Sequence, residues 1–200
     1  MPNENDISVF RGEHLEFFRT RSGWEYVGRA NASHGVTIVA VTEESRLLLV
    51  EQQRAPLKSR VIELPAGLVD PSEDETAALR RELVEETGYT CSAVRFLCNG
   101  ATSPGLSDER NSLYLASGLN APGGSRHDPP SQDGSIRHSK VRGLREEGER
   151  IVVHEVPLAV VVPWLARQEE LGAVIDLRVY AGLFFATSLH GGGSGISRET

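Results

Sequence analysis

Residues 67–89 read GLVDPSEDETAALRRELVEETGY, and no other stretch leaves the fold so little choice. Ser72, with Glu75 three residues on, has the form of a capping box set just after Pro71. Gly88 suits a helix C-terminus, because the left-handed conformation used there strains any residue that carries a Cβ. The spacing predicts one helix over residues 73–87. At about 100° per residue, Asp74, Glu75, Glu82, Glu85 and Glu86 fall on one side, with Ala78 among them. Leu79 and Leu83 make an apolar stripe beside the acids, and Ala77 and Val84 lie elsewhere.

Like charges three and four residues apart destabilise a helix by roughly 0.2–0.5 kcal/mol per pair. A helix that gathers its acids accepts several such penalties. A hard divalent cation reverses their sign, since carboxylate oxygens are the ligands that magnesium prefers. Arg81 stands four residues before Glu85 and can orient it, although this order is the weaker one for an ion pair. The alternative is a solvated acidic face.

Gly67, Glu73 and the run Arg81-Glu82-Leu83-Val84-Glu85-Glu86-Thr87-Gly88-Tyr89 have the spacing G-x5-E-x7-R-E-U-x-E-E-x-G-U, with U a bulky apolar residue and Tyr89 the last U. This resembles the Nudix box. The run LLLVEQQRAPLKSRVIELPAGLVD resembles the ADP-ribose and nucleotide-sugar pyrophosphatase branch, as do residues 103–110 and Asp176-Leu177-Arg178-Val179-Tyr180. The resemblance implies a Nudix fold, an α/β arrangement with a mixed sheet between helices. It also implies hydrolysis of a nucleoside diphosphate linked to a sugar, ADP-ribose above all, with Mg2+ or Mn2+ as cofactor.

Carried onto this sequence, the resemblance makes the Ala66 carbonyl, Glu82 and Glu86 metal ligands. Glu85 becomes a further ligand or the partner of Arg81. A glutamate from a later loop completes such sites: Glu149 matches a ligand, and Glu147 a catalytic base, with Glu85 or Glu146 in reserve. Arg54 matches an arginine that grips phosphates or the terminal ribose, where a guanidinium fork fits phosphate oxygens. Trp24 matches a tryptophan that stacks on adenine, and Pro104 and Leu106 shape the ribose region. Members of the branch are homodimers whose N-terminal strands reach across to the partner. Two departures touch the substrate pocket. Gln53 stands where an aromatic residue is common, and the segment 118–148 is longer than usual. Other nucleotide sugars, dinucleotides or nucleoside triphosphates therefore remain as alternative substrates. A nucleotide-sensing module without catalysis is a further alternative, but such modules usually lose box carboxylates and this chain keeps all of them.

Two hundred residues with 39% apolar content suffice for one domain with a sizeable core. The net charge of −7 argues against binding nucleic acid backbones and obliges an anionic substrate to meet local cations. No apolar run is long enough to span a bilayer, and the polar, acidic start MPNENDISVF does not resemble a signal peptide. A cytoplasmic setting is the expectation, with Cys91 and Cys98 as buried thiols and not a disulfide. The expected organisation is an N-terminal β element over residues 1–34, a catalytic domain over 35–188 and a mobile tail over 189–200. Residues 14–29 read as two strands joined near Ser22-Gly23, and 36–41 and 46–50 as a hairpin or two adjacent strands. Further strands fall at 61–64, 89–98, 111–116 and 151–156. Helices fall at 157–171 and 176–189, the second with Val179, Leu183 and Phe184 at helical spacing. The insertion 118–148 shows no periodicity, and His154 reads as packed in or beside a strand.

Overall fold

Strand β4 (Gly35–Ala40) is buried along its whole length, and its side chains divide between two cores. Successive strand residues point to opposite faces, so Val36, Ile38 and Ala40 go one way and Val39 the other. The first set packs on helix α1 (Glu75–Thr87) through Ala78, Leu79 and Leu83. Val39 joins Val161 and Leu165 of helix α2 (Val161–Glu170) and Val179, Leu183 and Ala186 of helix α3 (Leu177–His190). Strand β5 (Arg46–Arg54) repeats the division, with Leu48 toward α1 and Leu47 and Leu49 toward α2 and α3. The result is the expected mixed α/β arrangement, with strands held between helices. The computed structural model describes residues 6–32, 34–122, 136–142 and 150–190.

Three sheets are present among the described residues. Strands β1 (Ile7–Arg11), β2 (Leu15–Arg19) and β3 (Glu25–Arg29) form an antiparallel N-terminal sheet in that order. A four-stranded sheet runs β7 (Ala66–Leu68), β4, β9 (Arg110–Asn120), β8 (Thr90–Ala101). A five-stranded sheet runs β10 (Arg137–Arg142), β11 (Arg150–Pro157), β5, β6 (Ser59–Glu63), β12 (Val174–Ile175). Parallel pairing of β4 with β9 sets Gly35 against Asn111, and antiparallel pairing with β7 sets Val36 against Gly67 and Thr37 against Ala66. Those two registers fix the start of the acidic motif beside the open end of the sheet.

The structure corrects several expectations. Asp74, not Ser72, caps α1: its side chain accepts from the backbone N–H of Thr76 and Ala77, each at 2.8 Å. Glu75 is thereby the first helical residue and cannot close a box back onto Ser72. Gly88 ends the helix as expected, at φ 77° with its N–H on the Val84 carbonyl. Strands β4 and β5 are no hairpin; they lie in different sheets, joined by a bridge between Val41 and Leu47. The stretch from 118 to 148 is not structureless throughout, since it contains the end of β9 and all of β10. Its pairing partner β11 supplies the order that local periodicity lacks. Strands β1, β7 and β12 had no counterpart in the sequence reading, and Phe184 is exposed, Ala186 packing inward in its stead. Cys91 and Cys98 are free thiols, Cys91 buried as expected and Cys98 only partly buried, and His154 is buried on β11. Residues 191–200 of the expected tail lie outside the described residues. Among the described residues, no helix is long and apolar enough to cross a membrane.

Asp74→Ala is expected to lower Tm by about 2–4 °C, and Ser72→Ala to leave it unchanged within about 1 °C. Thermal unfolding of the two variants side by side checks which residue caps the helix.

Candidate active site

A cleft of about 430 Å³ opens at the end of β4 and β7, over the exposed edge of α1. Its acidic wall comes from one helix. Glu82, Glu85 and Glu86 all line it, together with Ala66 and Gly67. Glu82 is buried to 1% exposure, directly beneath Gly67. A Cβ on Gly67 would overlap the Glu82 carboxylate, so the glycine is what lets the backbone pass over the acid.

Arg81 binds this wall together. It grips Glu73 with two parallel bonds, Nε to Oε1 at 3.0 Å and Nη2 to Oε2 at 2.7 Å. The same guanidinium donates to Glu82 Oε1 at 2.7 Å, to Glu85 Oε2 at 3.4 Å and to the Leu68 carbonyl at 3.1 Å. The sequence reading paired Arg81 with Glu85; the structure adds Glu82 as a closer partner and Glu73 as the anchor. Hydrogen bonding to Glu73 and Glu82 drives the arginine pKa upward, so it carries its charge at every accessible pH. A five-donor fork meeting three carboxylates and a carbonyl is the arrangement arginine suits and lysine does not.

Glu86 is differently placed. Its Oε2 accepts the Ala66 N–H at 2.9 Å. Burial pushes its carboxyl up to about 8, outweighing the Ala66 bond, and the neighbouring charges of Glu82 and Glu63 push the same way. A metal-free site therefore strains toward a proton, or toward a cation in its place. The other two acids from the predicted face serve structure. Asp74 is the cap, and Glu75 accepts from Ser112 at 3.1 Å and from the Tyr114 hydroxyl.

The same cleft has a basic part to its lining. Arg54 lines the cleft as expected, its Nε bonded at 2.8 Å to Glu63, a carboxylate buried to 5% exposure. Arg178, from the first turn of α3, and Arg29, from β3, complete it. Arg29 reaches the cleft because β3 pairs with the loop before β9: the Val27 N–H donates to the Leu106 carbonyl at 2.9 Å. Arg29 Nε then meets Glu109 Oε2 at 2.6 Å. Arg29, Glu63, Glu109 and Asn111 were given no role in the sequence reading, and Glu73 only a motif position. Glu73 alone carried a signal, since its place in the motif is fixed.

Trp24, Pro104 and Leu106 are exposed and are not in the cleft wall of their own chain. Gln53 is exposed on β5. Glu146, Glu147 and Glu149 lie outside the described residues, although Ile151, just beyond them at the start of β11, lines the cleft. Among the described residues no three acids or histidines converge into a complete metal cage. His154 stands apart from the cleft: its Nε2 lies 3.1 Å from Glu51 and its Nδ1 2.7 Å from His138 Nδ1.

The family model of the NUDIX domain matches residues 33–155. The chain is similar to the methanol dehydrogenase activator of Bacillus methanolicus, 45% identical over 84 residues, which are 42% of this chain and 45% of that protein. It is also similar to the ADP-ribose pyrophosphatase of Bacillus subtilis strain 168, 39% identical over 84 residues with the same two coverages, 42% and 45%. The chain thus spans less than half the length of either relative. A crystal structure of an ADP compounds hydrolase shares the fold, with a TM-score of 0.64 over 94% of this chain and 93% of that one, at 20% identity.

Proposed function

The chain belongs to the NUDIX family, and from that premise we propose that it hydrolyses the diphosphate of a nucleoside diphosphate sugar, ADP-ribose first among them, to AMP and ribose 5-phosphate. One observation carries the reading: a single cleft is lined both by Glu82, Glu85 and Glu86 and by Arg29 and Arg54. A diphosphate held there would meet the guanidiniums and any cation that the carboxylates hold. The similarity to an ADP-ribose pyrophosphatase supports the substrate class.

The donor set fits Mg2+ or Mn2+, because Glu82, Glu85 and Glu86 bring hard carboxylate oxygens to one cleft beside Ala66. Glu82, Glu86 and the Ala66 carbonyl would hold the ion, with Glu149 as the remaining ligand. A bound divalent ion would neutralise phosphate charge and lower the pKa of an attacking water. The chain's own side chains do the rest. Arg54, aimed by Glu63, binds phosphate oxygens; Arg81 keeps Glu82 and Glu85 in register. The water's proton passes to Glu147 or, from the cleft wall, to Glu85. Water adds to one phosphorus and the other phosphate leaves in line, so one diphosphate bond breaks and two monophosphates form.

The N-terminal sheet supports a homodimer. Ile7, Val9, Phe10 and Leu15 are exposed on it, and Trp24 is 60% exposed beside them. In a dimer Trp24 stacks on the base in the neighbour's cleft. Light scattering at micromolar concentration is expected to give twice the chain mass, and a monomer would remove that role from Trp24.

Incubation with ADP-ribose and Mg2+, followed by chromatography, is expected to yield AMP and ribose 5-phosphate. Glu85→Gln is expected to cut that turnover by at least 30-fold with the fold intact; turnover within threefold of wild type would take Glu85 out of the chemistry. Absence of any metal-dependent cleavage across a panel of nucleotide sugars, with tight binding retained, would favour a sensing role.

A further inference from the structure

Arg178 lies in the walls of two adjoining clefts, of about 430 and 480 Å³, yet the reaction described above gives it no task of its own. Its surroundings are unusually specific. Asp176 caps α3 by accepting the Arg178 backbone N–H at 2.7 Å. The same carboxylate grips the Arg178 guanidinium, with Nε 3.0 Å from Oδ1 and Nη2 2.6 Å from Oδ2. Nη1 donates to the Thr37 hydroxyl on β4 at 3.3 Å, and Thr37 in turn donates to Asn111 at 2.6 Å. Nη2 also lies 3.6 Å from Glu63 Oε1.

Glu63 is the hinge of the argument. Its Oε2 already accepts from Gln52 at 3.0 Å and from Arg54 at 2.8 Å. Its Oε1 faces Arg178. A carboxylate this buried depends on its ion partners, and removing one leaves charge uncompensated. With Arg178 gone, Glu63 Oε1 loses its charged partner, and the carboxylate is expected to shift and take Oε2 out of line with Arg54. Arg54 has a side chain 42% exposed, and Glu63 is its ion partner among the described residues.

We propose that Arg178 is a positioning residue: clamped by Asp176 at the start of α3, it holds Glu63 from one side so that Glu63 aims Arg54 at the substrate's phosphates from the other. The proposal rests on the reading of the cleft as a diphosphate site. It assigns the Asp176-Leu177-Arg178 turn a role in substrate affinity and not in bond breaking. The chain of contacts passes from α3 through β6 to the last residue of β5.

The test compares Arg178→Gln, Arg54→Gln, the double variant and Arg178→Lys by steady-state kinetics on ADP-ribose with Mg2+, and by calorimetric binding of ADP. Arg178→Gln is expected to raise KM at least tenfold with kcat changed less than threefold. Arg54→Gln is expected to do the same, and the double variant to be no worse than Arg54→Gln alone. Arg178→Lys keeps the charge but loses the two-oxygen clamp, and should fall between wild type and Arg178→Gln; it carries the test if Arg178→Gln does not fold. Multiplying effects in the double variant would show Arg178 acting independently of Arg54 and overturn the proposal. So would an unchanged KM. If wild type cleaves no ADP-ribose, the functional reading fails on that substrate, and ADP affinity decides the Arg178 question by the same cycle. Failure of wild type to bind ADP at millimolar concentration would overturn the proposal as well.

Discussion

Glu86→Gln is expected to abolish at least 99% of turnover and, in EDTA at pH 8, to make the protein more stable than wild type. The two effects share one cause. Burial, with Glu82 and Glu63 adding to it, holds the Glu86 carboxyl at about 8 in the folded chain, against 4.5 for an ordinary glutamate. Between those values the folded state keeps a proton that the unfolded state has released. Stability of the metal-free protein therefore falls as pH rises from about 4.5 to about 8 and is fully present only below that window. The glutamine amide carries no charge, still offers an oxygen to the Ala66 N–H, and removes a penalty on the order of a few kcal/mol. Melting curves at pH 5, 6.5 and 8 should show wild type losing ground to the variant as pH rises. Millimolar Mg2+ should reverse the order at pH 8, because the cation stabilises wild type by mass action and has lost a ligand in the variant. A variant that melts below wild type in EDTA at pH 8 would mean that Glu86 is not under electrostatic strain.

The helix that carries the acids was legible because its signals are local. Gly88, the Leu79 and Leu83 stripe and the spacing of Glu82, Glu85 and Glu86 act within a few turns of one another, and the structure places these as read, whereas Asp74 and Glu75 turn to the cap and to Ser112 and Tyr114. The cap was misassigned because Ser72 and Asp74 are both competent capping residues two positions apart, and the chain's exit from β7 decides between them. Parts of the site made by register were not legible. Arg29 enters through the pairing of β3 with the loop before β9, 80 residues away in sequence from its partner Glu109. Asn111 enters because β4 runs parallel to β9. Strand β10 was missed for the same reason: residues 137–142 have no alternation of their own and gain order from β11. Arg178 carried a resemblance but no role until Glu63 was found between it and Arg54.

Gly67→Ala is expected to lower stability by about 2–4 kcal/mol and turnover by more than 100-fold, although it adds a single methyl group. The methyl lands on the Glu82 carboxylate. Either partner would have to yield, and each is held. Gly67 pairs with Val36 across the sheet. Glu82 is 1% exposed and bonded at 2.7 Å to Arg81, which is itself fixed by both oxygens of Glu73. Displacing Glu82 outward loosens Arg81 and with it Glu85, so the damage reaches the whole acidic wall. Shortening the acid should relieve the overlap. In a Gly67→Ala background, Glu82→Asp is expected to recover at least half of the lost stability, whereas in the wild-type background the same change should destabilise. Urea unfolding of the four proteins measures that sign reversal directly. Turnover should stay low in the double variant, since a carboxylate withdrawn by one methylene no longer reaches the position from which Glu82 faces the cleft. Additive losses in the double-mutant cycle would show that the glycine serves the turn of the backbone alone and not the passage of the chain over Glu82.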